Sequence, residues 1–277
     1  MLTLVQSANV RGSAGDPLPE VWPSLIEKGT RFLRGQLCLV AAGPGTGKSS
    51  FVLNYVLKSK ASCMYFSADS DAYIQLSRSL AVLGGIPTTE AEGIIRSGDT
   101  ERIGSIIGNS PVRFNYEASP TLEHIERDIL AYEELYGDFP EIIVIDNVLD
   151  VQLDGEVDYT SLDQLMAYLH ELARETSACV IALHHVTGEY NDANKPIPLS
   201  GVKGQIGRVP ELILTLHKEV HELGADVLNV STVKNRGKKA DPSGATFISL
   251  DFDGDAMDIR EQNRPSVNPW EEGSGYS

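Results

Sequence analysis

The segment Ala42-Gly43-Pro44-Gly45-Thr46-Gly47-Lys48-Ser49 follows directly on the apolar run Leu37-Cys38-Leu39-Val40-Ala41. Alternating glycines let a backbone curl until successive N–H groups point inward, and such a nest holds an anion. A helix starting near Lys48 adds its positive dipole end to the same anion. Lys48 is long enough to reach β- and γ-phosphates, and the Ser49 hydroxyl is a ligand for Mg²⁺. After Gly-Lys-Ser-Ser comes an apolar helix carrying Phe51, Val52, Leu53, Tyr55, Val56 and Leu57. Strand, glycine turn and helix in this order make a phosphate-binding loop, so the expected ligands are ATP and Mg²⁺. Gly43, Pro44, Gly45, Thr46, Gly47, Lys48, Ser49 and Ser50 are the expected nucleotide contacts. The usual pattern opens with Gly; here that position is Ala42.

Such a loop needs a carboxylate on the metal side. Glu141-Ile142-Ile143-Val144-Ile145-Asp146 offers β-branched residues for a buried strand, with Asp146 emerging at its carboxyl end. Ser49 and Asp146 are therefore the expected metal-side pair. Hydrolysis also needs a group that orients the attacking water. Asn147, not Glu, follows Asp146, so another carboxylate must serve. Met64-Tyr65-Phe66-Ser67-Ala68-Asp69 ends a second strand, and Asp69 is the favoured base, next to the loop strand if the order is Rossmann-like. Asp71 is the fallback, and Asp69 as a helix N-cap is the competing reading. Val180-Ile181-Ala182-Leu183-His184-His185 ends a further strand, and His185 is the preferred γ-phosphate sensor. Adjacent strand residues face opposite ways, which argues against a metal site built from the two histidines.

These groups have to be held by a sheet. Strands are expected at 36–41, 63–67, 112–116, 141–146 and 178–183, with helices between them. Helices are expected over 49–58 and 72–83, from a Ser119-Pro120 start, and over 161–175. The last carries Leu162, Leu165, Leu169 and Leu172 on one face, opened by a Ser161/Gln164 capping box. This alternation predicts an α/β fold with a mostly parallel central sheet flanked by helices. Segments 211–216, 227–233 and 246–252 read as antiparallel strands at the C-terminal edge. Residues 1–25 read as a loop-like N-terminal arm, 26–260 as the ATPase domain and 261–277 as a disordered tail. In that tail, Trp270-Glu271-Glu272 is a candidate docking point for a partner, with an inert tail as the competing reading.

The chain has 277 residues, 42% of them apolar, and a net charge of −16. No apolar run is long enough for a membrane span. Cys38, Cys63 and Cys179 lie in apolar strand-like runs, which suits buried thiols and a reducing cytoplasm. The acidity argues against a general nucleic-acid coat but leaves room for a narrow basic channel.

With these residues in view, the chain resembles DnaB-type replicative helicases over about 25–255. Leu37–Leu57 is similar to their phosphate-loop segment, which also often opens with Ala. Tyr65-Phe66-Ser67-Ala68-Asp69 is similar to a strand ending in Ser-Leu-Glu, with Asp69 in place of the catalytic Glu. Ile143-Val144-Ile145-Asp146 matches their metal-side strand, and His185 stands where they carry a sensor Gln. The double histidine also resembles RepA-like plasmid hexameric helicases. Val233-Lys234-Asn235-Arg236 matches a Lys-Asn-Arg motif whose Lys and Arg reach the γ-phosphate of a neighbouring subunit.

The resemblance implies a RecA-like fold and a ring, most simply a hexamer, that moves 5′ to 3′ along single-stranded DNA in replication, with replication proteins as the candidate partners of the tail. It implies a compact phage or plasmid form, working in the bacterial host cytoplasm. DNA would be held by two loops after the metal-side and sensor strands. In the second, Lys195, Lys203, Gly204 and Arg208 are the expected DNA contacts, while a mobile surface loop is the competing reading. The first holds Asp150, Asp154, Glu156 and Asp158 and is a poor phosphate binder. Two alternatives stay open: a recombination ATPase forming DNA filaments, and a regulatory ATPase of the KaiC type without DNA motor activity.

Overall fold

The computed structural model describes residues 3–10, 12–153, 159–222 and 224–262. Its first half runs α1 (Leu4–Val10), α2 (Pro23–Glu27), β1 (Leu37–Ala42), α3 (Lys48–Ser59), β2 (Cys63–Ser67), α4 (Ala72–Gly84), α5 (Thr88–Ser97), α6 (Thr100–Ile107), β3 (Val112–Asn115) and α7 (Leu122–Tyr136). The second half runs β4 (Ile142–Asp146), α8 (Tyr159–Thr176), β5 (Cys179–His185), β6 (Leu212–Glu219), β7 (Asp226–Asn235), β8 (Phe247–Asp253) and β9 (Asp258–Glu261).

The described strands form one sheet in the order β3-β2-β4-β5-β1-β6-β7-β8-β9. Pairing is parallel from β3 to β6 and antiparallel from β6 to β9. The parallel strands are apolar on both faces because helices cover both. Cys38, Val40 and Ala42 of β1 face the core shared with Phe51, Val52 and Val56 of α3. Leu37, Leu39 and Ala41 face the opposite core with Ile125 and Ile129 of α7 and the leucines of α8. Leu162, Leu165, Leu169 and Leu172 are all buried there, and a buried leucine contributes about 1.5–3 kcal/mol. Cys38, Cys63 and Cys179 are buried and free.

Several expectations change. The strand order is not Rossmann-like around the phosphate loop: β4 and β5 stand between β2 and β1. Asp69 therefore reaches the site from three strands away. The cap of α7 is Thr121, which accepts from the His124 N–H at 3.2 Å, not Ser119. The Pro120 carbonyl accepts from the Gln152 N–H at 2.9 Å, which ties that stretch to the chain after β4 before the helix starts. Helix α8 begins at Tyr159, so Ser161 lies inside it; cap preference is worth only about 1 kcal/mol and yields to packing.

Helices α5 and α6 fall outside the expected elements; with α4 they close a small cluster around Leu80, Ala81 and Ala91. The first 30 residues hold two short helices, and Leu18, Trp22 and Leu25 join the core. Trp22 stacks on Phe51 at 4.7 Å, and its indole N–H donates to the Ile259 carbonyl at 3.2 Å. Asp154, Glu156, Asp158 and the Trp270 segment lie outside the described residues.

Candidate nucleotide site

All four parallel strands that matter here, β1, β2, β4 and β5, deliver their carboxyl ends to one edge of the sheet. Beyond β1 the chain turns through Gly45 and Gly47, at φ 70° and 110°, a region open to glycine and strained for other residues. Gly47 is the N-cap of α3, so the first N–H groups of that helix face the turn. Gly43 is constrained differently. A Cβ there would lie 2.2 Å from the Asn191 carbonyl oxygen, because the chain after β5 packs directly on the start of the loop.

A cleft of about 570 Å³ opens at this edge. Its lining includes Pro44, Gly45, Gly47, Lys48, Ser49, Ser50, Asp69 and His185, and on the far side Lys218, Phe252 and Met257. Lys48 is buried, and its ammonium donates to the carbonyls of Ala42 and Gly43 at 3.3 and 3.4 Å. Burial lowers its pKa from the ordinary lysine value, and the carboxylates of Asp146 and Asp69 oppose that. Thr46 is turned inward: its hydroxyl donates to the Gly43 carbonyl at 2.9 Å and braces the turn.

Asp146 is buried at the end of β4 and accepts from the Tyr65 hydroxyl at 2.8 Å. Burial pushes its carboxyl up; hydrogen bonds from Tyr65 and Ser49 pull it back. The Ser49 hydroxyl and Asp146 thus meet at the lip of the phosphate loop. A hydroxyl and a carboxylate beside a phosphate nest are the oxygen donors a Mg²⁺–nucleotide requires, so the residues present fit that cation.

Asp69 is exposed at the cleft and accepts from the Asn147 amide at 3.2 Å. The helix-cap reading falls on its neighbour: Asp71 accepts from the Ile74 N–H at 2.9 Å and caps α4. That engagement leaves Asp69 as the free carboxylate of the pair. His185 lines the cleft, and burial together with Lys48 lowers its pKa. His184 faces the other way, fully buried, with Nε2 2.9 Å from the Lys203 carbonyl oxygen. Burial pulls His184 down to about 4, so its ring is neutral, and Nε2 is the protonated nitrogen that donates to the carbonyl.

Arg78, Lys218, Tyr65 and Asn147 are site residues to which sequence reasoning gives no role; Arg78 and Lys218 lie in no motif, while Tyr65 and Asn147 enter it only as neighbours of the carboxylates. Arg78 donates to the Ser70 hydroxyl at 3.3 Å, while Lys218 pairs with Asp226 at 3.3 Å and lies 5.6 Å over the Phe252 ring.

The segment after β5 is pinned, not a mobile loop. Ile197, Val202 and Ile206 are buried, and 3-10 turns run over Leu199–Gly201 and Lys203–Arg208. Lys203 and Arg208 stay exposed, and Arg208 lies 3.6 Å from Asp163. Lys195 lies 4.8 Å over the Tyr190 ring and 3.7 Å from Glu189. Gly204 has φ 79°, which suits the tight turn there.

Lys234 and Arg236 are not in the cleft. Lys234 pairs in register with Ile213 at the start of β6, whereas Leu216, further along β6, pairs with Ala42. Asn235 is level with Leu212 and so with Cys38, four positions before Ala42, or about 13 Å along the sheet. At that end the Lys234 ammonium donates to the carbonyls of Gly207 and Arg208, at 2.5 and 2.9 Å. Arg236 donates to the Arg208 carbonyl at 2.8 Å and pairs with Glu211 at 3.4 Å.

Residues 24–247 match the model of the DnaB-like helicase C terminal domain. The chain belongs to this family. As a DnaB-like helicase it is an ATP-hydrolysing DNA helicase. The gene 65 protein of Mycobacterium phage L5 is 57% identical over 265 residues, covering 94% of this chain and 99% of that one. The gene 65 protein of Mycobacterium phage D29 is 55% identical over 229 residues, covering 81% and 99%.

Among solved structures, a DnaB-like replicative helicase described with its interactions with primase matches with a TM-score of 0.76 at 18% identity, over 94% of this helicase and 65% of that chain. A separately solved helicase ATPase domain gives the same score and identity, over 94% of this chain and 96% of that domain. The RadB recombinase matches at 0.57 and 16% identity, over 88% of this chain and 99% of that one. These likenesses bear out the RecA-like fold, and the helicase match is the stronger one. No helix among the described residues is long and apolar enough to cross a membrane.

Proposed function

We propose that this helicase works as a ring, most simply a hexamer, that hydrolyses Mg-ATP between subunits and moves along single-stranded DNA in a bacterial host cytoplasm. Residues 26–260 form the motor. Lys48 and the backbone of 43–50 hold the triphosphate. Ser49 and Asp146 would hold Mg²⁺, which would supply positive charge against the triphosphate. Asp69 orients the attacking water, His185 registers the γ-phosphate, and Lys234 and Arg236 serve the site of the next subunit. Lys195, Lys203, Gly204 and Arg208 contact the DNA backbone, so binding weakens with salt.

The observation that carries this reading is the end of β5. Its last two residues face opposite ways, His185 into the nucleotide cleft and His184 onto the Lys203 carbonyl. One strand end thus spans the hydrolytic cleft and the basic segment, and a shift at either is felt at the other. The distance of Lys234 and Arg236 from their own cleft supports the intersubunit role, because a guanidinium stabilises the transition state only at the phosphate itself.

The test is ATP hydrolysis with and without single-stranded DNA, with Lys48→Ala as the dead control. Strong stimulation by DNA that Lys48→Ala abolishes is expected. Lys48-dependent hydrolysis indifferent to DNA would overturn the motor reading and favour a protein-directed ATPase.

A further inference from the structure

Two paired strand ends bring Asn147 against Asp69. β2 and β4 are hydrogen-bonded neighbours with Ser67 opposite Asp146, and the Ala68 N–H donates to the Asp146 carbonyl at 2.9 Å. Asp69 thus lies two residues, and Asn147 one residue, beyond those ends. Asn147 is buried, while Asp69 is exposed on a short stem. Left alone, an exposed carboxylate samples several rotamers.

The Asn147 amide is oriented from behind. Its Oδ1 accepts from the Leu149 N–H at 2.8 Å and caps the short 3-10 turn Val148–Asp150. An oxygen already facing an N–H fixes which end of the amide is nitrogen, so Nδ2 is the end that meets Asp69. That nitrogen donates to Asp69 Oδ2 at 3.2 Å, and Asp69 lines the cleft, so Oδ1 is the oxygen left for a ligand there. The Asn147 backbone N–H faces Asp150 Oδ2 at 3.4 Å, closing the turn.

We propose, resting on the reading of Asp69 as the base, that Asn147 is the positioning residue of the hydrolytic water: it holds one oxygen of Asp69 and presents the other. Through its cap on Val148–Asp150 it also links the chain leaving β4 to the base. A shift of that turn reorients the amide and with it Asp69.

The experiment is steady-state ATP hydrolysis by the full-length chain at saturating single-stranded DNA, for Asn147→Ala, Asn147→Asp, Asp69→Asn and the double variant Asp69→Asn/Asn147→Ala. Asn147→Asp keeps the shape and the acceptor for Leu149 but removes the donor and sets a like charge against Asp69. The expected result is a fall in kcat of about 10- to 100-fold for both Asn147 variants, a misplacement-sized loss, with KM for ATP changed by less than about threefold. On the Asp69→Asn background, Asn147→Ala costs nothing further, because the two act as one unit.

Wild-type kcat in Asn147→Asp, or losses that multiply in the double variant, would overturn the proposal while leaving Asp69 as the base. Wild-type kcat in Asp69→Asn would overturn both readings. A loss in Asn147→Ala that Asn147→Asp restores would assign Asn147 to the turn alone and also sink the proposal.

Discussion

The two ends of the β1–β6–β7 region make opposite demands. At the carboxyl end of β1, loop, cation, carboxylates and histidine converge on one cleft, and each has its partners within the chain: Lys48 with loop carbonyls, Asp146 with Tyr65, Asp69 with Asn147. At the other end, Lys234 and Arg236 hold the carbonyls of Gly207 and Arg208, and no phosphate nest stands near them among the described residues. The first end is complete in its own hydrogen bonds within one protomer. The second makes chemical sense as half of a site whose other half is a neighbour's cleft.

Substitutions at the two ends should separate binding from chemistry. The largest effect is expected from Lys48→Ala, which removes the cation of the complete end: hydrolysis should fall about 10³-fold or more, with weakened nucleotide binding in a fluorescent-analogue titration. Arg236→Ala should cost about 10³-fold in kcat while leaving nucleotide affinity within a few-fold, since the missing group belongs to another subunit's transition state. Equal loss of affinity would erase the contrast between the ends. Asp69→Asn should cost about 10²-fold in kcat with KM little changed.

The contrast also explains what could be read in advance. The complete end is legible because local sequence builds it: a strand, a glycine turn and a helix start lie within a few residues, and Asp146 closes an unbroken β-branched run. Asp69 is legible as a carboxylate at a strand end, but its strand lies three away from β1, because strand order is decided by helix packing on both faces and leaves no local signal. Lys218 and Arg78 reach the cleft from ordinary-looking positions, and Tyr65 and Asn147 brace its carboxylates from behind, all brought there only by register. The far end is not legible from periodicity at all. Lys234 and Arg236 look like a solvated strand end, and only the family motif singles them out.

Two smaller measurements sharpen the link between cleft and basic segment. Lys203→Ala should weaken single-stranded DNA binding a few-fold for all sequences and lower the salt slope by about one, with basal hydrolysis unchanged. An unchanged slope would remove Lys203 from the DNA path. His184 acts on stability, not on either end's chemistry. Its folded pKa is depressed to about 4 from an ordinary 6.5, so the unfolded chain takes up the proton first as pH falls. Its stabilising contribution is full above about 6.5 and lost towards 4, by roughly 3 kcal/mol at most. Urea midpoints of wild type should drop across that window more than those of His184→Gln.

The central claim is that one protomer's Arg236 completes another's cleft. The direct test assembles Lys48→Ala and Arg236→Ala protomers together from unfolded chains at equal concentration and measures ATP hydrolysis. Each variant alone is inactive. The account predicts recovery in the mixture to about a quarter of wild type, since half the clefts are then intact and half of those meet an intact arginine in a closed ring. Activity no greater than the sum of the two variants alone, from assemblies shown to contain both, would contradict it.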